Sequence, residues 1–132
     1  MTAAVLDACA GIDLVLRRPA GECVQEELES AAGLVFVPEL FDLEVLLALR
    51  KLVLRRAMPA ARAERAAQRL KTFPATRVPH RHLFEGIWSR RADMTVYDSA
   101  YAAVAELVKG RIVTTDTKFA GTPGLDVAVV TC

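Results

Sequence analysis

The chain has 132 residues, of which 53% are hydrophobic, and this size and composition predict one compact domain over residues 1–132. No stretch is apolar enough to cross a bilayer, and no basic segment precedes the first apolar residues, so we expect neither a membrane span nor secretion. The three cysteines, Cys9, Cys23 and Cys132, are an odd number without zinc-site spacing. We therefore expect no disulfide framework, no zinc site and a cytoplasmic location.

The net charge of +1 conceals an uneven distribution of charged residues along the chain. Twelve Lys or Arg residues lie between Arg50 and Arg91, against only Glu64 and Glu85, whereas the rest of the chain is acidic. A basic segment beside an acidic, cation-binding pocket is what an enzyme needs to hold a phosphate backbone near its metals. The alternative is a solvated helical surface that binds nothing.

Strand-like and helix-like segments alternate along the chain. Short apolar runs predict strands over residues 3–7, 33–37, 112–114 and 127–130. Helical spacing and capping residues predict helices over residues 8–17, 21–32, 38–54, 60–70, 80–91 and 95–109, with Pro38 in a first turn and Gly110 as a stop. Residues 71–79, with Pro74 and Pro79, are the best candidate for a surface connection. This alternation predicts a parallel sheet, whose functional sites lie at the carboxyl ends of its strands.

Four acidic residues interrupt segments where an ordinary domain would prefer neutral side chains: Asp7, Glu44, Asp98 and Asp116. Two of them follow predicted strands, and the other two lie in predicted helices. Because a buried, unpaired carboxylate is costly, four together indicate a shared cation. Hard oxygen ligands favour Mg²⁺ or Mn²⁺ over zinc.

Each acid taken alone also has a purely structural interpretation. Glu44 shares a helix face with apolar residues, but it could pair with an arginine or extend to the edge of the fold. Asp98 fits a capping box that begins at Thr95. Asp116 could be a turn residue, and Asp7 could cap the first helix. The joint occurrence of the four favours the metal site.

Other residues with suitable chemistry fit a site less well. The spacing of His80 and His82 beside a proline is more typical of a loop or helix entrance than of a metal site. Cys9 has no catalytic histidine near it in the sequence, so a packed thiol is the better interpretation. Asp42 lies two residues before Glu44 and so faces a different side of the helix.

The chain resembles the PIN-domain ribonucleases, and among them the VapC-type toxins of bacterial toxin–antitoxin pairs. The resemblance is carried by VLDAC at residues 5–9, VPEL at 37–40 followed by Glu44, YDSAYAAVAE at 97–106, and IVTTD at 112–116. These motifs occur in the family's order and span nearly the whole chain. Cys9 departs from the family pattern, which has a small polar residue there.

The resemblance implies a three-layer α/β/α sandwich with a central parallel sheet, an acidic Mg²⁺ or Mn²⁺ pocket and single-stranded or loop RNA as substrate. It assigns Asp7, Glu44, Asp98 and Asp116 to that pocket, and Thr114 to a supporting hydroxyl that orders it. It also implies a homodimer, and a cognate antitoxin whose segment lies in a groove and blocks the pocket.

In such a pocket one or two divalent ions would activate water for attack on the phosphodiester, with no protein nucleophile. Asp7, Asp98 and Asp116 are the expected direct ligands, and Glu44 is either a ligand or the group that orients the water. One rival is a catalytically inactive PIN-like module that binds RNA or an antitoxin. The other is a receiver-type domain that accepts phosphate on Asp7. Such chemistry commonly uses an adjacent pair of acids, and Asp7 stands without one.

Overall fold

The computed structural model describes residues 2–132. Over these residues, five strands form one parallel sheet in the order β3-β2-β1-β4-β5. The strands are β1 (Ala4–Leu6), β2 (Val35–Pro38), β3 (Thr76–Val78), β4 (Arg111–Thr114) and β5 (Val129–Thr131). The α-helices are α1 (Ala8–Val15), α2 (Ala20–Ser30), α3 (Leu40–Leu54), α4 (Ala60–Lys71), α5 (Phe84–Ser89), α6 (Val96–Val108) and α7 (Thr117–Ala120), and a 3-10 turn covers His80–Leu83. The predicted three-layer α/β/α fold is confirmed.

The central strand β1 brings two of the four acids to one edge of the sheet. All three of its residues are fully buried, because β2 and β4 flank it and helices cover the sheet. In the register of β1 and β4, Leu6 pairs with Val113. The chain leaves both strands at the same end, so Asp7 and Asp116 emerge side by side at the carboxyl edge.

Helix α6 is held against the sheet by small residues. Residues 99–105 are all buried, and five of these seven are alanine or serine, so the helix packs closely on β1, β2 and β4. The C-cap residue of α6 is Lys109, which has left-handed backbone with φ 53°. The sequence had predicted Gly110 as the residue that stops the helix. Gly110 meets a different requirement, because a Cβ there would lie 2.5 Å from the carbonyl oxygen of Ala3.

Three of the predicted elements differ from the observed ones. Pro38 ends β2 instead of opening a helix, and α3 begins two residues later. Residues 76–78 form the edge strand β3 inside the predicted surface connection. An edge strand pairs on one side only and need not alternate apolar and polar residues, so its sequence pattern is weak. The single helix predicted over residues 80–91 is a 3-10 turn followed by the short α5.

The sequence predicted no disulfide framework, but the structure contains one disulfide that the sequence analysis did not predict. Cys23 of α2 and Cys132 after β5 are joined across 109 residues of sequence, whereas Cys9 is free and exposed. Counting cysteines could not reveal this pair, because an odd total is also compatible with one bond and one free thiol. Among residues 2–132, no helix combines the length and apolar character that a membrane crossing requires.

Candidate metal centre

Asp7 is buried at the carboxyl end of β1, with only 4% of its surface exposed. One carboxylate oxygen accepts from the backbone N–H of Ala10 at 2.9 Å, which caps α1, and the other accepts from the Thr114 hydroxyl at 2.5 Å. The pKa of Asp7 is raised to about 6, chiefly by burial and in part by the negative charges of Asp116 and Asp98, against the lowering effect of these hydrogen bonds. Capping α1 is therefore part of its role, as one structural interpretation predicted.

Thr114 connects the two strand-end acids. Its buried hydroxyl donates to Asp7 and accepts from the backbone N–H of Asp116 at 3.0 Å. A carboxylate oxygen of Asp116 in turn accepts from the N–H of Lys118 at 2.9 Å and caps α7. A single buried hydroxyl thus fixes the position of one carboxylate and the backbone that carries the next.

Glu44 is held by Tyr101, across 57 residues of sequence. The phenol of Tyr101 donates to a carboxylate oxygen of Glu44 at 2.6 Å. Burial raises the pKa of Glu44, the negative charge of Asp98 adds to the increase, and the Tyr101 hydrogen bond opposes it. Burial and the Glu44 carboxylate raise the pKa of Tyr101, so this phenol stays protonated and remains a donor.

Asp98 lies in the first turn of α6 and is half-buried. The Thr95 hydroxyl accepts from its backbone N–H at 3.1 Å, as expected of a helix cap. Burial raises the pKa of Asp98 and the charge of Asp116 adds to this, while hydrogen bonding to Thr95 lowers it. The helix cap explains the hydrogen bond of the Asp98 backbone N–H. It does not give the Asp98 carboxylate a positively charged partner.

The four acids repel one another electrostatically and lack a cationic partner. Among residues 2–132, no salt bridge involves any of them. Their oxygen donors and uncompensated charge fit a hard divalent cation. With the side-chain positions in this structure, no group of three His, Cys, Asp or Glu side chains among residues 2–132 is close enough to bind one shared ion. Their role as ligands stays a prediction.

Of three neighbouring residues with suitable chemistry, His80 and Asp42 have structural roles, and Cys9 is a free thiol. His80 accepts the backbone N–H of Leu40 on its Nε2 at 3.1 Å, at the start of α3. Asp42 makes a bidentate pair with Arg77, at 3.0 and 3.2 Å. Cys9 is exposed rather than packed as predicted, and desolvation of its sulfur, with the charges of Asp7 and Asp116, raises its pKa to about 11. The thiol is therefore protonated at neutral pH and is a poor nucleophile.

The basic segment is only partly beside these acids. Arg69 and Arg62 donate to the carbonyl oxygens of Val15 and Leu16, at 2.6 and 3.3 Å, where α1 ends. Helix α1 starts directly after Asp7, so its eight residues separate these arginines from the acidic edge by roughly 12 Å. Because α4 crosses the far end of α1, these arginines lie away from the acids, and whether the segment binds a phosphate backbone stays a prediction.

Comparison with known proteins identifies the family. The model of the family described as PIN domain matches residues 4–125, which include all four acids. The chain belongs to the PIN-domain family.

Similar proteins of this family include VapC ribonucleases of mycobacteria. VapC ribonuclease Mb0985 of Mycobacterium bovis is 39% identical over 92 residues, covering 70% of this chain and 72% of the relative. Ribonuclease VapC3 of Mycobacterium tuberculosis is 34% identical over 116 residues, covering 88% and 84%. A chain of a toxin–antitoxin complex from Klebsiella pneumoniae has the same fold, with a TM-score of 0.67, 22% identity and coverage of 98% and 97%.

Tyr101 is the residue of this PIN domain that the sequence did not identify as part of the site. Residue 101 lies one helical turn after Asp98, in the motif that carries the family resemblance. That spacing places both side chains on one side of α6 and could have indicated a shared environment. Its hydrogen-bond partner could not have been found this way, because Glu44 lies on a different helix.

Proposed function

We propose that this PIN domain is the toxin of a toxin–antitoxin pair, and that it is a divalent-metal-dependent endoribonuclease acting on single-stranded or loop RNA. The observation that carries the proposal is Asp7, a buried carboxylate whose pKa is raised by the charges of Asp116 and Asp98 and which has no cationic partner among residues 2–132. The VapC ribonucleases to which the chain is similar support the activity.

The chain's own residues would position the carboxylates that hold Mg²⁺ or Mn²⁺. Asp7, Asp98 and Asp116 are the proposed ligands, and Glu44 is either a fourth ligand or the group that orients the attacking water. When bound, the ion would stabilise charge on the phosphate and lower the pKa of water. Thr114 fixes the Asp7 carboxylate, and Tyr101 fixes the orientation of Glu44. Preset orientation reduces the reorganisation needed when RNA binds.

Partners are proposed from exposed apolar surface. Leu43, Leu47 and Leu54 of α3 are 70%, 48% and 63% exposed, and we assign this leucine face to a homodimer contact. A groove of about 460 Å³, lined by residues that include Trp88 of α5 and Tyr97 of α6, is assigned to a segment of the antitoxin. The similar Klebsiella chain comes from a toxin–antitoxin complex, which supports such a partner.

An RNA cleavage assay tests the activity. Purified protein would be incubated with end-labelled structured RNAs in Mg²⁺, in Mn²⁺ and in chelator. We expect metal-dependent cleavage that Asp98→Asn reduces by at least about a hundredfold, because it removes one charged ligand. Asp93→Asn, which changes an exposed acid outside the site, is the matched control and should cleave normally.

Two results would contradict the ribonuclease proposal. Cleavage that persists in chelator or in Asp98→Asn would show that the acidic edge is not the active site. RNA binding without cleavage under every metal condition would instead identify a non-catalytic binding module.

A further inference from the structure

A group of arginines gathers where the end of α1 meets α4, away from the acids. We call it the arginine cluster, and it consists of Arg17, Arg62, Arg65 and Arg69. Three members recur at i, i+3 and i+7 along α4, so they share one side of that helix over roughly 10 Å. Arg17 directly follows Leu16, the C-cap residue of α1.

The cluster has no acidic partner. Among residues 2–132, no salt bridge joins any of its members to a carboxylate. Elsewhere in this part of the chain, four arginines each pair with a carboxylate at 3.3 Å or less: Arg18, Arg77, Arg90 and Arg111. Burial lowers the pKa of Arg69, and the positive charges of Arg17, Arg65 and Arg62 lower it further. The cluster therefore concentrates positive charge that no salt bridge neutralises within residues 2–132.

Capping of α1 explains only part of this arrangement. Arg62 and Arg69 each donate to a carbonyl at the C-terminal end of α1, where cations are favoured. A guanidinium has five N–H donors, so most of the donors of these two residues stay available. Arg17 and Arg65 donate no side-chain hydrogen bond to any atom of residues 2–132 and have no capping role.

We propose that the arginine cluster is a second binding site for the RNA phosphate backbone, separate from the acidic edge. The proposal rests on the proposed ribonuclease function for the identity of the nucleic acid. Guanidinium groups bind phosphate through parallel hydrogen bonds, and a row of them can follow a flexible strand. A strand bound here and at the acids would lie along α1, so affinity would depend partly on residues that take no part in cleavage.

The surroundings favour a nucleic acid over a protein partner. Protein interfaces are anchored by large apolar or aromatic side chains, and no exposed large hydrophobic residue lies between residues 55 and 83. The adjoining cleft is lined by Arg17 and Arg69 and also by Glu22, Glu26 and Glu29 of α2, whose carboxylates would repel phosphate inside it. The backbone is therefore placed along Arg62 and Arg65 of α4, which do not line the cleft, and reaches Arg17 and Arg69 from that side.

RNA binding at several salt concentrations tests the site. A fluorescent single-stranded oligonucleotide would be titrated with the full chain in chelator, where the proposed cleavage cannot occur, between 0.05 and 1 M salt. The double variant Arg17→Gln/Arg65→Gln removes the two members without a capping role. Arg50→Gln/Lys51→Gln is the control, since it removes the same charge from exposed positions on α3. Thermal melting would check that each variant is folded.

The expected result is a change in the salt dependence of binding. Each phosphate contact to a single strand contributes a slope of about −0.7 to log K against log salt, so losing two reduces the slope by about 1.4. Affinity should fall on the order of 25-fold at 0.1 M salt and be nearly unchanged at 1 M. Arg17→Lys/Arg65→Lys, which keeps the charge, should retain most of the slope, and the α3 control should retain all of it.

Three results would overturn the site. They are an unchanged slope in Arg17→Gln/Arg65→Gln, an equal loss in the α3 control, and tighter binding of a poly-glutamate peptide than of RNA of equal charge. Cleavage of the same oligonucleotide in Mg²⁺ separates this proposal from the ribonuclease proposal. Cleavage with an unchanged slope leaves the ribonuclease intact and removes the site, whereas a reduced slope without cleavage supports the site alone.

Discussion

At the scale of single residues, Asp7 combines a structural requirement with an electrostatic cost. Its two hydrogen bonds stabilise the ionised form, yet burial and the neighbouring acids raise its pKa from 3.8 to about 6. The net effect shows that these two hydrogen bonds do not replace the water lost on burial. A bound cation would reverse this balance, because it interacts only with the ionised carboxylate.

The raised pKa of Asp7 predicts how stability without metal depends on pH. The folded chain holds the Asp7 proton more tightly than the unfolded chain does. The contribution of protonated Asp7 to the free energy of unfolding is therefore full below about pH 4 and is lost as pH rises through about 6. Between pH 5 and 8, the wild type should lose roughly 1–2 kcal/mol of unfolding free energy that Asp7→Asn does not lose. Urea denaturation in chelator measures this difference.

The exposed acid Glu22 supplies the control for this prediction. Glu22→Gln should leave the pH dependence of the unfolding free energy as it is in the wild type, because the residue is exposed on α2. A pH dependence in Asp7→Asn identical to that of the wild type would contradict the assignment of the shift to Asp7.

Tyr101 predicts a change in the pH profile of cleavage. Tyr101→Phe removes the hydrogen bond that lowers the pKa of Glu44, so the acid side of the profile should move to higher pH. We also expect kcat/KM to fall roughly tenfold, equivalent to the loss of about one hydrogen bond to a charged group. The control is Leu107→Ala, since Leu107 is exposed on the same helix and lies outside the groove assigned to the antitoxin. A uniform loss of rate without a shift would indicate only a structural role.

At the scale of elements, α3 is buried on one side and apolar on the other. Phe41, Val45 and Leu49 form its buried face, so Leu43 and Leu47 point elsewhere. The sequence predicted a helix that needs cover on more than the sheet side, and the exposed leucines agree with that pattern. Their proposed partner is a second copy of the chain.

Substitution of the exposed leucines tests this dimer. Leu43→Gln/Leu47→Gln should weaken self-association by about a hundredfold or more, since burying each leucine contributes about 1.5–3 kcal/mol. Leu107→Gln, on α6 and 55% exposed, is the matched control and should leave association unchanged. Sedimentation equilibrium measures both, and a wild type that remains a 14.4 kDa monomer would refute the proposal.

At the scale of the whole molecule, the Cys23–Cys132 disulfide ties α2 to the end of the chain. The backbone N–H of Cys132 also donates to the carbonyl of Thr114 at 2.7 Å, so the tied segment contacts the strand that carries Thr114. Closing a loop of 109 residues restricts the unfolded chain, and the stabilisation expected of such a bond is about 2–4 kcal/mol.

Removing the disulfide should therefore lower the free energy of unfolding by about 2–4 kcal/mol. Cys132→Ser and chemical reduction of the wild type should give the same loss in urea denaturation. Cys9→Ser should change little, because Cys9 is free. Mass spectrometry that finds three free thiols in protein purified without reductant would contradict the bond.

The sequence by itself determined the elements and the candidate acids, because both depend on short-range patterns. A buried strand followed by an acid is visible at Asp7 and Asp116, and a hydroxyl three residues before Asp98 indicates a helix start. The edge strand β3 was missed because three residues between prolines have too little pattern to identify a strand.

Only the tertiary structure decided how distant residues act on one another. Tyr101 and Glu44 are 57 residues apart, and the two bonded cysteines are 109 residues apart. The crossing of α4 over the end of α1 sends part of the basic segment away from the acids. Such contacts depend on sheet order and helix packing, which bring together residues whose separation in sequence contains no periodic signal. The sequence therefore indicated which residues are unusual, and the fold determined which partners they have.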